Sequence, residues 1–109
     1  MQVITDLEPG NYSRSLQGYD HGDVGVCLIL VEAPPGKGPS LHRHPYAEVF
    51  VIHEGEGTFF AADEERHVAA AAVVIVPAGV PHRFVNSGNV PLRITTIHTS
   101  PTFQTEWLV

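Results

Sequence analysis

The sequence predicts an all-β fold closed into a barrel or sandwich, on three observations. Segments rich in Val, Ile and Phe recur at short intervals. Breaks such as "APPGKGPS", "ADEE", "PAG" and "NSGNVP" separate them, and each supplies the Gly, Pro, Asn or Asp that turns require. No linker, internal repeat or low-complexity tract interrupts the pattern, so residues 1–109 read as one domain.

Taken in order, strands are expected near 2–6, 24–33, 40–44, 47–53, 57–62, 66–70, 73–76, 81–86 and 92–98. The segment 24–33 is apolar on both faces: Val24, Val26, Leu28 and Leu30 share one parity, and Cys27, Ile29 and Val31 take the other. Such a strand must be covered twice. One face fills the interior, and in so short a chain a second subunit is the economical cover for the other, taken to be the face that carries Ile29. The stretch "HVAAAAVVIVP" pulls both ways, because four alanines favour helix while the following Val and Ile and the stop at Pro77 favour strand. Strand is the expectation. The tail "SPTFQTEWLV" carries Phe103 and Trp107, too apolar to leave in water, and should pack on the barrel or on a partner subunit.

Six Lys and Arg stand against twelve Asp and Glu, and the basic residues are scattered singly. That balance argues against nucleic acid and anionic membrane surfaces as partners. The apolar run Val68–Val76 is too short to span a bilayer, and "MQVITDLEPG" has neither the basic nor the apolar region of a signal peptide. A cytoplasmic protein is expected. Cys27, the lone cysteine, sits in "VGVCLILV" and reads as a buried, inert thiol.

The chemistry concentrates in "GKGPSLHRHPYAEVFVIHEG", residues 36–55. On a helix His44 and Glu48 would lie about 200° and 240° from His42, on nearly the opposite side. In extended chain the three share one parity, and a strand bent at Pro45 aims them into one interior. A second cluster, "PAGVPHRFVN", adds His82, with Phe84 on the same face. If the clusters neighbour each other, three imidazoles and one carboxylate make a transition-metal ligand set. Without thiolates it suits Mn, Fe, Ni, Cu or Zn rather than a closed structural zinc site. Four protein ligands leave a six-coordinate ion two open positions for water, oxygen or substrate.

These residues resemble the two motifs of the cupin superfamily. The first, G(X)5HXH(X)3,4E(X)6G, is met by Gly36, His42, His44, Glu48 and Gly55. The second, G(X)5PXG(X)2H(X)3N, is met by Pro77, Gly79, His82 and Asn86, with Ala71 in place of its leading glycine. That departure touches a turn and removes no ligand. The resemblance implies a single-domain cupin β-barrel, a double-stranded β-helix or jelly roll of two antiparallel sheets, with a divalent transition metal held by His42, His44, Glu48 and His82. The motif region 36–86 covers about half the chain.

By parity, Phe50 and Ile52 follow Glu48 inward, and His98 lies inward with Leu92, Ile94 and Thr96 as hydrogen-bonded core or pocket wall. Tyr46, Phe50, Phe84 and His98 are therefore the expected pocket residues. No serine, lysine or cysteine lies in a nucleophile motif and no Gly-rich phosphate loop is present. The expected function is that of a metal-dependent, dioxygenase-like oxidoreductase acting on a small organic molecule, in a homodimer. The alternatives are a non-catalytic small-molecule-binding or sensing module, and a metal-dependent isomerase for which no base other than Glu48 is evident.

Overall fold

A computed structural model describes residues 1–109. Two antiparallel sheets face each other. The first carries β1 (Glu8–Gly10), β2 (Ser13–Gln17), β3 (Cys27–Ala33), β10 (Leu92–His98), β5 (Glu48–Glu54) and β8 (Val73–Val76), in that spatial order. The second carries β11 (Glu106–Trp107), β4 (His42–Arg43), β9 (His82–Asn86), β6 (Glu56–Ala61) and β7 (Glu64–Ala69). Chain neighbours are often not sheet neighbours, and this crossing of consecutive strands between sheets is the jelly-roll pattern. The chain has no helix long and apolar enough to cross a membrane.

Alternation builds the core. Phe50 and Ile52 of β5, Leu92 and Ile94 of β10, and Val76 of β8 point inward to meet Phe59 and Phe84 from the facing sheet. Phe59 stacks on Phe84 at 5.3 Å, and Phe50 meets both edge-on, an arrangement favoured by the ring quadrupoles. At the free edge of the second sheet, β7 exposes Glu64, Glu65, Arg66 and His67, charges that discourage a further strand from pairing there.

Several expectations need correction. Residues 2–6 form no strand. The N-terminal strands are β1 and β2, and "SRSLQ" escapes a hydrophobicity reading because Leu16 is its one apolar residue, the strand being held by backbone pairing to β1 and β3. A 3-10 turn at Gly18–His21 and the two-residue β11 also carry no sequence pattern. The inward face of β3 is the one with Cys27, Ile29 and Val31, because Cys27 pairs with His98 and Ile29 with Thr96 in register. Leu28 and Leu30 face outward, so the unpartnered face is the opposite of the one expected.

The alanine tract is not helix: strand, turn and strand follow one another there, close to the expected spans 66–70 and 73–76. Ala69 ends β7, and Ala70 and Ala71 turn the chain into β8. Ala71 N–H donates to Ile52 O at 2.9 Å, and Ile52 N–H donates to Ala72 O at 3.0 Å, which ties the turn to β5. Ala71 holds φ +76°, a left-handed conformation that costs an L-residue about 1–2 kcal/mol. The same sign of φ occurs at Gly55 (+86°), where a Cβ would also lie 2.7 Å from Pro91 O. Ala71→Gly should therefore stabilise the fold by about 0.5–1 kcal/mol, after allowing for the extra freedom glycine has when unfolded. A thermal midpoint that stays level or falls would show that the turn carries no such strain.

Candidate metal centre

Strand register brings the site together. His42 on β4 pairs directly with His82, the first residue of β9, while Glu48, the first residue of β5, pairs with His98, the last of β10. His44 follows β4 just before Pro45 turns the chain toward β5. One pair thus comes from each sheet, and the sheets approach each other at this end of the barrel. One ligating atom from each of His42, His44, Glu48 and His82 can be chosen so that all lie within 4.8 Å of one another, and all four residues are buried.

Three histidines have one ring nitrogen already committed. Nδ1 of His42 lies 2.7 Å from Ser40 O, that of His44 2.9 Å from Gln104 O, and that of His82 2.8 Å from Val80 O. A carbonyl oxygen only accepts, so each Nδ1 carries the hydrogen and a neutral ring presents its Nε2 lone pair. Metal-binding histidines are held in this way by their outer shell. His44 Nε2 lies 2.9 Å and His82 Nε2 3.1 Å from the same carboxylate oxygen, Glu48 Oε1. His44 Nε2 is nonetheless without a hydrogen-bond partner, since its ring axis misses that oxygen. Lone pairs facing a carboxylate in a buried space repel unless positive charge lies between them. The separations suit neighbouring ligands of one ion at about 2.0–2.2 Å from each.

The titration tendencies point the same way. Burial works against the charge on Glu48, but the imidazoles of His44, His82 and His98 gathered about it outweigh burial and hold its carboxyl well below the usual carboxylate range. Burial, with like charges at His82 and His44, lowers His42. His44 is opposed by burial yet raised by the adjoining Glu48 carboxylate and the Gln104 carbonyl. A permanent carboxylate with imidazoles around it is a site that favours a cation.

A cavity of about 490 Å³ opens beside the cluster. Phe50, Phe84 and His98 line it, together with Ile29 and Val31 of β3. Tyr46 does not. Its ring stacks on His44 at 5.0 Å and 8°, and its hydroxyl lies 2.6 Å from His98 Nδ1, so it stands behind the wall instead of meeting the cavity. His98 does more than fill core, because its Nε2 lies 3.1 Å from Glu48 Oε2.

The tail supplies residues that sequence reasoning did not assign to the site. Phe103, Thr105 and Trp107 line the cavity, with Trp107 5.0 Å from the His42 ring and 60% exposed. Within one chain Trp107 packs beside His42 on the barrel and keeps its other side open to solvent. The tail is held by pairing of β11 with β4 and by Leu108 N–H to Leu41 O at 3.0 Å. The exposed Arg43–Glu106 ion pair adds little by comparison. The available signal was the two aromatics in an otherwise polar C-terminal stretch.

Residues 29–98 match the family model described as "Cupin domain". Among curated proteins, the chain is 28% identical over 114 residues to auxin-binding protein 1 of Arabidopsis thaliana, a match that takes in 90% of this chain and 58% of that protein. It is 28% identical over 92 residues to gentisate 1,2-dioxygenase of a Ralstonia species, covering 84% of this chain and 25% of the enzyme. It thus spans about three-fifths of the first relative and a quarter of the second. Among solved structures, oxalate decarboxylase of Bacillus subtilis superimposes with a TM-score of 0.81 at 18% identity, over 95% of this chain and 30% of that one, a likeness of fold.

Proposed function

The chain belongs to the cupin family, and from that premise we propose that it is a metal-dependent oxidoreductase of the dioxygenase type, acting on a small organic molecule in the barrel cavity. His42, His44, Glu48 and His82 would hold the divalent transition metal. The observation that carries this is the convergence of three Nε2 lone pairs and one carboxylate, each ring tied back through Nδ1, at the wall of an apolar cavity. A bound ion of this kind supplies Lewis-acid or redox chemistry. The chain's own part is to orient and to exclude water: Phe50, Phe84, Ile29 and Val31 give the ligand an apolar seat. A single buried cysteine suits a reducing, cytoplasmic setting. The likeness to gentisate 1,2-dioxygenase supports an oxidative reaction, and the likeness to auxin-binding protein 1 supports a second reading, ligand binding without turnover.

Apoprotein reconstituted separately with Fe(II), Mn(II), Ni(II), Cu(II) and Zn(II) separates the two. With a panel of catechols, hydroxy-acids and β-diketones, we expect oxygen uptake that depends on one metal and one substrate class and is absent in Glu48→Ala. Saturable binding with no product under every metal would instead establish the binding module.

The protein is further proposed to act as a homodimer closed through the outer face of the six-stranded sheet. Register aligns Leu16, Leu28, Ile97, Val49 and Ile75 in one outward row across five strands, with Leu30, Val51 and Val73 in the next. Val73 and Ile75 are 57% and 65% exposed. Arg14, Glu32 and Arg93 lie beside these rows on the same face, so both charge signs are present, as a self-complementary two-fold contact needs. Ile75→Asp should shift micromolar protein from dimer to monomer in sedimentation velocity at little cost to the fold. A wild-type monomer at that concentration would refute the dimer.

A further inference from the structure

We propose that Tyr46 and His98 form a positioning pair that fixes the carboxylate of Glu48, presenting Oε1 to the metal site while Oε2 is held back. The inference rests on the metal reading above and goes beyond it, since neither residue belongs to the ligand set. It begins from a difference among the histidines. The three site histidines bond through Nδ1 to carbonyls, which can only accept, whereas His98 Nδ1 lies 2.6 Å from a hydroxyl, which can donate. Glu48 Oε2, an acceptor, sits 3.1 Å from His98 Nε2. The arrangement that gives every atom a compatible role has Tyr46 Oη–H donating to His98 Nδ1 and His98 Nε2–H facing Glu48 Oε2. His98 is therefore the opposite tautomer from its neighbours, a hydrogen donor toward the carboxylate and not a ligand.

The rest of the environment agrees. Tyr46 Oη accepts Gln104 N–H at 3.3 Å, leaving its own hydrogen for His98. Phe103 meets the His98 ring edge-on at 5.0 Å and limits its rotation. His98 Nε2 has no aligned partner in the present arrangement, so its donor is available to whichever position Oε2 takes when Oε1 is drawn to an ion. Divided in this way, the carboxylate ligates through one oxygen. Without the pair, both oxygens are free to turn to the metal.

The test uses Mn(II) alone, titrated into full-length apoprotein and read by equilibrium dialysis and by the electron paramagnetic resonance spectrum of the bound ion. Tyr46→Phe and His98→Ala should each weaken Mn(II) binding by about 10- to 100-fold, the range for outer-shell partners of a ligand. Both should change the zero-field splitting, the signature of altered carboxylate coordination. His98→Gln, which keeps a donor, should recover part of the affinity. The double variant should be no weaker than His98→Ala alone, because the two residues act in series. Wild-type affinity and spectrum in Tyr46→Phe and in His98→Gln, two changes of small volume, would overturn the pair even if His98→Ala failed to fold. If those variants bind normally while Glu48→Ala does not, the metal reading stands and the pair falls. If wild-type protein binds no Mn(II) or other divalent ion, both fall.

Discussion

His82→Ala is expected to reduce bound metal from one ion per chain to a trace and to abolish the thermal stabilisation that metal confers. The four ligands lie on β4 and the segment after it, β5 and β9, so an ion there ties the two sheets together. A ligand that binds only the folded state at a thousandfold excess over its Kd stabilises it by about 4 kcal/mol. In a domain of this size that raises the midpoint by on the order of 20 °C. Removing one imidazole leaves an incomplete site and a free Val80 carbonyl. Calorimetry with and without metal, together with elemental analysis, reads both effects. Wild-type stoichiometry in His42→Ala, His44→Ala and His82→Ala would exclude this site.

The second large effect is expected four residues further along the same strand, and it has the opposite profile. Asn86 is almost wholly buried, and its amide donates to Ala33 O at 2.9 Å and Val90 O at 2.8 Å while accepting Gly88 N–H at 2.9 Å. One side chain thereby joins the end of β3 to two points of the loop between β9 and β10. Asn86→Ala strands two carbonyls and an amide, at about 1–3 kcal/mol for each that stays buried. A loss of on the order of 4 kcal/mol, or about 20 °C in midpoint, follows. Asn86→Asp should recover little, because a carboxylate cannot donate to the two carbonyls. Apo and metal-loaded midpoints should fall together with stoichiometry intact, whereas His82→Ala lowers only the loaded one. If Asn86→Ala instead loses metal at an unchanged apo midpoint, its role is in the site and not in the fold.

The legible part of the structure was the part that local rules specify. His42, His44 and Glu48 share a parity, and Gly55 marks the left-handed turn after β5, so the approach of the cluster was readable from spacing. Strand pairing was less so. Which face of β3 points inward depends on its register with β10, a partner about sixty residues away, and two apolar faces leave a parity argument nothing to choose with. Tyr46 was misplaced for a related reason: it lies between β4 and β5, where alternation does not apply. The strands β2, between β1 and β3, and β11, at a sheet edge, are held by backbone pairing and carry no hydrophobic signature. The fourth imidazole at the cluster, His98, was visible as an inward residue, but its facing of Glu48 emerges only from the β5–β10 register.

Gln104 connects matters that would otherwise be independent. Its carbonyl holds His44 and its N–H holds Tyr46, across sixty and fifty-eight positions of sequence. Its neighbours Phe103 and Thr105 are cavity wall. A single residue's backbone is thus shared between the grip on the ion and the shape offered to the ligand. Natural drift or laboratory selection that reshapes the tail for a new ligand also moves the supports of His44 and of Tyr46 behind His98, so specificity and metal retention are pleiotropic in this segment. Variation free of that linkage is available on the opposite wall, at Ile29 and Val31, whose strand touches the cavity without bonding to any ligand.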